Sequence, residues 1–290
     1  MRSASRVTVF LFLVASACFA VIAAPSASAQ DLRNRSQKRA VRGMTGDFDG
    51  LGMVLWVSRD EARRLLPNPN LQLDYPGDAE RHPVVILLGA EHNVGVQFRN
   101  SYVHPRFLKD YDNAYVIVPY LRHPSAVGHI YIFSKIFVSD ERVTERGSKL
   151  NNSPKVHATI KDSAQRFVVN YEGERRIDLA MWENPSAAQL QAVVAAASTP
   201  RHDVPATADL LRTIFRQPKI EFSPNVHLFS FDFMAEASHL TPTIVAGTIR
   251  VPAVASAAAG NRSSDILLLS PDRPVEAIRF SSHWVKALKH

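Results

Sequence analysis

The chain has 290 residues, with 34 Lys and Arg against 27 Asp and Glu, a formal charge of +7, and one cysteine. One cysteine excludes a disulfide framework. The basic residues are spread along the chain without an aromatic-interleaved stripe, which argues against a nucleic-acid surface. Apolar content of 46% and charged content of 21% are ordinary for a globular domain.

The first stretch, "MRSASRVTVFLFLVASACFAVIAAPSASAQ", reads as a leader rather than as part of the fold. Arg2 and Arg6 form a basic n-region, Val7–Ala24 an apolar h-region, and Ala27 and Ala29 an A-x-A cleavage site. The alternative is a membrane anchor, since the run is near the lower length limit for a span. The small-residue exit and missing stop-transfer charges favour cleavage after Ala29, hence an exported, periplasmic or secreted protein with no stable membrane anchor. A lipid anchor at Cys18 is weaker, because Ala15 and the apolar residues after Cys18 fit it poorly. Cleavage also removes Cys18, so the fold must stand on its core alone. The predicted organisation is a leader over 1–29, a flexible basic arm over 30–50 carrying "DLRNRSQKRAVR", and a single domain over 51–290.

Within that domain, "GMVLWV" (52–57) predicts a strand, and "SRDEARRLLP" a short helix capped by Ser58 and stopped by Pro67. "PVVILLGA" (83–90), "AYVIVPYL" (114–121) and "HIYIFSKIFV" (129–138) predict further strands. Residues 155–182 read as two or three strands with turns at Lys161–Ser163 and Glu172–Gly173. Helices follow at "SAAQLQAVVAAAS" from Ser186 and at "TADLLRTIF" from Thr207. In "NVHLFSFDFMAEA", His227, Phe229, Phe231 and Phe233 share one face. "TPTIVAGTIRV", "DILLL" and "PVEAIRF" complete the strands. The fold class is therefore α+β and mainly antiparallel β, with about ten or more strands in a barrel-like or double-sheet domain around an internal cavity.

Common chemical motifs are absent from the sequence. There is no H-E-x-x-H or C-x-x-C, and His82, His92, His104 and His123 lie near strand ends, so no metal site is expected. Without G-x-S-x-G, G-x-G-x-x-G or a P-loop, no cofactor is expected either. A lysine remains. In "GSKLNNSPKV" (147–156), Lys149 follows two small residues and precedes Leu150. An ordinary lysine is neutral in roughly one molecule in 2,500 at pH 7, so nucleophilic use requires desolvation or a nearby cation. Arg146, three positions back, is such a cation. Judged locally, Lys149 is an exposed loop residue.

From about Met53 to Leu288 the chain resembles the acetoacetate decarboxylase-like family. The resemblance rests on "VLWVSRDEARRLLP", on "SPKVHATIKDSAQRFVVNYEGERRIDLAM" with its Pro-Lys strand, and on "DILLLSPDRPVEAIRFSSHWVKAL", in that order. It implies a barrel-like fold whose cavity holds a Schiff-base lysine six positions before the Pro-Lys step. That position is Lys149, with Lys155 after Pro154. The implied chemistry is an imine with a small β-keto acid such as acetoacetate, an electron sink for the carbanion left when CO2 departs.

The departures from the family pattern matter as much. Leu150 stands where the decarboxylases have a second lysine, so pKa lowering would rest on desolvation, with Arg146 tuning it or touching the substrate carboxylate. "YVH" puts His104 at the catalytic glutamate's position, a second acidic position falls within "VVILLG", and the expected arginine falls near Phe48. A histidine keeps a proton-transfer group but changes its charge and pKa range. Aldol or dehydratase chemistry on an oxo acid, and a non-catalytic exported ligand-binding barrel, therefore stay open beside decarboxylation. The expected partner is a small oxo acid. Many members of the family assemble, so a homo-oligomer fits the resemblance.

Overall fold

The computed structural model describes residues 43–98, 101–103, 109–151, 153–188, 191, 207–222, 226–254 and 265–288. The leader expected over 1–29, with Cys18, lies outside these residues. Of the arm expected over 30–50, only residues 43–50 are described, and they are strand. Strand β1 (Gly43–Ser58) already begins at Gly43, and Phe48 in it is fully buried. Apart from Met44, the strand residues before Phe48 are small or polar, which hid the strand from hydropathy. What orders them is pairing with β15 (Val275–Leu288) along Gly43–Met53.

The other described elements follow in chain order. They are α1 (Arg59–Arg64), β2 (Gln72–Leu73), β3 (Arg81–Phe98), β4 (Ser101–Val103), β5 (Tyr111–Arg122) and β6 (Ile130–Val138). Next come α2 (Glu141–Asn151), β7 (Lys155–His157), β8 (Thr159–Ser163), β9 (Arg166–Tyr171) and β10 (Glu174–Glu183). The last before β15 are α3 (Thr207–Phe215), β11 (Lys219–Phe222), β12 (Val226–Phe231), β13 (Ser238–Pro252) and β14 (Asp265–Leu269). Of the helix expected from Ser186, only Ser186, Ala187, Ala188 and Gln191 are described; Ser186 lies just before the helix, and the other three are helical.

Local chemistry explains several boundaries. Ser58 and Glu61 form a reciprocal capping box at α1. Asp140 accepts from the Val143 N–H at 2.8 Å and starts α2. The segment 147–151, which composition suggested was a loop, is therefore the last part of a helix. The turn expected at Lys161–Ser163 lies one step later, at Ala164–Gln165, because Lys161–Ser163 pair with β9. The Glu172–Gly173 turn stands as expected. Both residues have positive φ, 53° and 76°, the geometry that matches the twist of a two-residue hairpin.

Seven strands close into a ring in the order β1-β3-β5-β6-β11-β12-β15, with β15 pairing back to β1. Each antiparallel neighbour reverses direction, so a closed ring with an odd number of strands requires at least one parallel pair. That pair is β6–β11, joined only through Tyr131 and Lys219. Further along the same edge, Ile136–Val138 of β6 pair in parallel with β7. The ring thus has a seam where β6 changes partners. Next to it, the β5–β6 register slips between Val116 and Ile117, opposite Lys135 and Phe133, leaving Ser134 as the extra residue of a bulge. Beyond the ring, β15 also pairs with β13, and the sheet continues through β10, β9 and β8.

Two apolar layers lie on opposite faces of these strands. One is mainly aliphatic and joins Leu51, Met53, Ile86 and Val116 to Phe167, Leu179, Val245 and Ile266 of the sheet extension. The other takes Phe48, Leu87, Tyr115, Phe133, Phe231 and Trp284 from six of the ring strands, with Leu210–Phe215 of α3. Both layers draw on six of the ring strands; the aromatic one, which also packs against α3, is termed the inner face. Gly52 lets α3 approach: a Cβ there would come within 2.9 Å of Leu211 and 3.2 Å of Phe280.

Candidate functional site

The inner aromatic layer carries charge. Lys219 of β11, Lys286 of β15 and Glu91 of β3 are buried, at 6%, 5% and 2% exposure. Glu221 of β11 and Lys155, the first residue of β7, are half-buried. Alternation places Lys219 and Glu221 on one face of "KIEF", with Ile220 turned to the aliphatic layer. The same alternation puts Lys286 on the face of Trp284. On β5, residues 111, 113 and 115 point inward together.

Glu221 clamps two amines. Its Oε1 accepts from Lys286 Nζ at 2.7 Å and also pairs with Lys219 Nζ. Lys219 lies over the rings of Phe133 at 4.1 Å and Phe231 at 5.6 Å, and Lys286 over Phe229 at 4.2 Å. Burial raises the Glu221 carboxyl, but Lys219 and Lys286 more than reverse this and hold it at about 2. Burial lowers the Lys219 amine to about 8. Glu221 pulls it upward, while Lys286 and Lys155 push it down.

A second carboxylate is capped by phenols rather than amines. Glu91 Oε2 accepts from the Tyr111 hydroxyl at 2.6 Å, and Oε1 accepts from the Tyr115 hydroxyl. Burial and the Glu91 charge hold both phenols well above their usual pKa. Asn113 Nδ2 donates to the Tyr115 hydroxyl at 3.1 Å, while Asn113 Oδ1 is buried with no partner among the described residues.

Lys155 stands between the two groups. Its Nζ is 5.8 Å from the centre of the Tyr111 ring. Its amine is lowered by burial, raised by Glu91 and lowered by Lys286. Among the described residues its ammonium makes no ion pair or hydrogen bond. Counted as ionised, three amines face two carboxylates, and the surplus cation is Lys155.

A cavity of about 190 Å³ opens at the seam. Ile132 and Phe133 of β6, Lys219–Phe222 of β11, Ser153 and Pro154 before β7, and Pro67 and Asn68 line it. The link from α2 to β7 is thus one rim of the cavity, and the Lys219–Glu221 pair lies in its wall.

Of the residues singled out from sequence, Lys149 lies near the C-terminal end of α2, which packs on β6 and β7. Its side chain lies outside the described residues, as does all of His104. Arg146 is exposed on α2, three residues before Lys149. Lys155, Lys219, Glu221, Lys286 and Glu91 were missed as site residues. The available signal was charge at inward positions of apolar strands: "LLGAEHNV", "KIEF" and "HWVKAL".

No family model matches the chain. No curated protein matches it. Among solved structures, it is similar to the enduracididine biosynthesis enzyme MppR complexed with the condensation product of pyruvate and imidazole 4-carboxaldehyde. That match has 13% identity and a TM-score of 0.45, over 85% of this chain and 88% of the other. Acetoacetate decarboxylase from Legionella pneumophila matches at 10% identity and a TM-score of 0.42, over 85% and 87%. An acetoacetate decarboxylase-like enzyme from Sphingomonas wittichii matches at 12% identity and a TM-score of 0.47, over 86% of this chain and 92% of the other. Acetoacetate decarboxylase and acetoacetate decarboxylase-like enzymes are thus among the solved structures this chain is similar to.

Proposed function

We propose that the ring interior is the active site of an exported carbon–carbon lyase that forms an imine between a lysine and a small oxo acid. The observation that carries the reading is the convergence of three amines and two carboxylates on the aromatic layer, with Lys219 and Glu221 in the wall of the seam cavity. An amine becomes a nucleophile when its protonated form is destabilised, and burial next to other cations does that. The family resemblance assigns the nucleophile to Lys149, on the helix that leads into the cavity rim. Its amine attacks the ketone carbon, and loss of water gives the protonated imine. A β-carboxylate then leaves as CO2, its bonding electrons move to the imine nitrogen, the resulting enamine takes up a proton at carbon, and water hydrolyses the regenerated imine to ketone and amine. His104 and Arg146 remain the proposed proton-transfer and tuning groups.

Borohydride reduction with acetoacetate or pyruvate, followed by peptide mass mapping, tests this. The expected result is a reduced adduct on the peptide carrying Lys149, absent from Lys149→Ala. No adduct with either acid would overturn imine chemistry, and CO2 release from acetoacetate separates decarboxylation from aldol-type turnover. The second reading, a ligand-binding barrel, is favoured by Lys219 and Lys286 both being committed to Glu221. It predicts ligand binding with no adduct.

A further inference from the structure

We infer that Lys155 is the carboxylate-anchoring cation of the ring interior, and that its ligand is a small monocarboxylate. This deepens the reading above, on which it rests for the ligand's keto group but not for its carboxylate.

The argument is one of charge balance. Lys219 and Lys286 share Glu221, and Glu91 is satisfied by Tyr111 and Tyr115. Lys155 alone among these amines lacks a hydrogen-bonded acceptor in the described residues, and it follows directly on Ser153 and Pro154 of the cavity rim. A partly buried ammonium without an anion is costly, and a carboxylate that reaches it recovers charge-assisted hydrogen bonds. A single negative charge balances the single surplus cation. A dianion would bring one charge too many. The orphaned Asn113 Oδ1, on the inward face of β5 between Tyr111 and Tyr115, marks a second unfilled position, one that accepts a hydrogen.

The groups facing Lys155 also set a pH dependence. They are Glu91 of β3, Tyr111 of β5, Lys219 and Glu221 of β11 and Lys286 of β15. The bound carboxylate needs the ammonium form, and burial lowers the pKa at which that form is lost. Binding should therefore take up protons on the alkaline side and weaken as pH rises through the lowered amine pKa.

The test is titration of the full chain with acetate, which has a carboxylate and no ketone, followed by calorimetry or NMR shifts. We expect saturable binding at pH 7, weakened at least tenfold in Lys155→Met, largely kept in Lys155→Arg, and unchanged in exposed Lys161→Met. Lys155→Arg keeps the test valid if Lys155→Met folds poorly. Acetate that fails to bind the native chain, or binds Lys155→Met equally well, overturns the inference. Borohydride trapping with acetone and with pyruvate reads the other step. Lys155→Met should lose the preference for pyruvate over acetone while still trapping acetone. An adduct on Lys155 itself would overturn its role as anchor. Acetate binding without any adduct would instead leave the anchor standing and remove the imine.

Discussion

The two faces of the ring strands solve opposite problems with the same backbone. On the outer face, Met53, Ile86, Val116, Leu179 and Val245 form a layer with no buried charge among them, and its value is the apolar area it removes from water. On the inner face, Phe133, Phe229 and Phe231 lie beside Lys219 and Lys286, whose desolvation opposes folding unless Glu221 stays in place. The outer layer can be repacked by volume, whereas the inner one depends on each partner. A domain that needed only stability would repeat the outer solution on both sides. The proposed function rests on this inner composition.

That contrast can be broken most severely at Glu221. Glu221→Gln should cost about 3–5 kcal/mol in urea denaturation, because it leaves two buried ammonium groups without a counter-ion. Replacing Lys219, Glu221 and Lys286 together by apolar residues should recover much of that loss. A triple variant no more stable than Glu221→Gln would show that the charges are not what sets the inner face apart. In the outer layer, Leu179→Ala at a fully buried position should cost about 2–5 kcal/mol by the same assay. Its acetate affinity should be unchanged, and a parallel loss of both would mean that the two faces are not separable.

A smaller effect concerns acid, away from the inner charges. His82 is fully buried, and its Nε2 donates to the Pro119 carbonyl at 2.8 Å, which leaves Nδ1 unprotonated and without a partner among the described residues. Burial lowers its pKa to about 4; the Pro119 contact opposes this, and Arg59 adds to it. The unfolded chain takes up this proton from about 6.5 downward, before the folded chain does. The contribution is therefore present in full above pH 6.5 and is lost as pH falls toward 4, by up to about 3 kcal/mol. His82→Gln should flatten that part of the stability–pH curve. An unchanged acid limb would show that His82 does not titrate as its burial requires.

Much of the strand inventory was legible because its causes are local. Alternating or continuous apolar runs marked β3, β5, β6, β13 and β14, and Ser58 with Glu61 marked the start of α1. The failures had non-local causes. Gly43–Gly50 is strand because β15 and β3 pair with it on both sides, not because its residues prefer to be extended. Lys161–Ser163 is strand rather than turn for the same reason, through β9. Helix α2 was missed because Gly147, Ser148 and Asn151 suggested a loop, although Asp140 supplied a cap.

The sequence by itself determined where most chain segments extend or coil, and which side of each strand is apolar. It also determined that charged residues sit at inward positions of three strands. Only the tertiary structure decided that those charges meet. Glu91, Lys155, Glu221 and Lys286 come from β3, β7, β11 and β15, brought together by ring closure. It also decided that a seven-strand ring must contain a parallel pair, and that this pair is the short β6–β11 contact where the cavity opens. Local preference acts over a few residues, whereas strand parity around a closed ring and charge balance in its interior are properties of the whole assembly of strands.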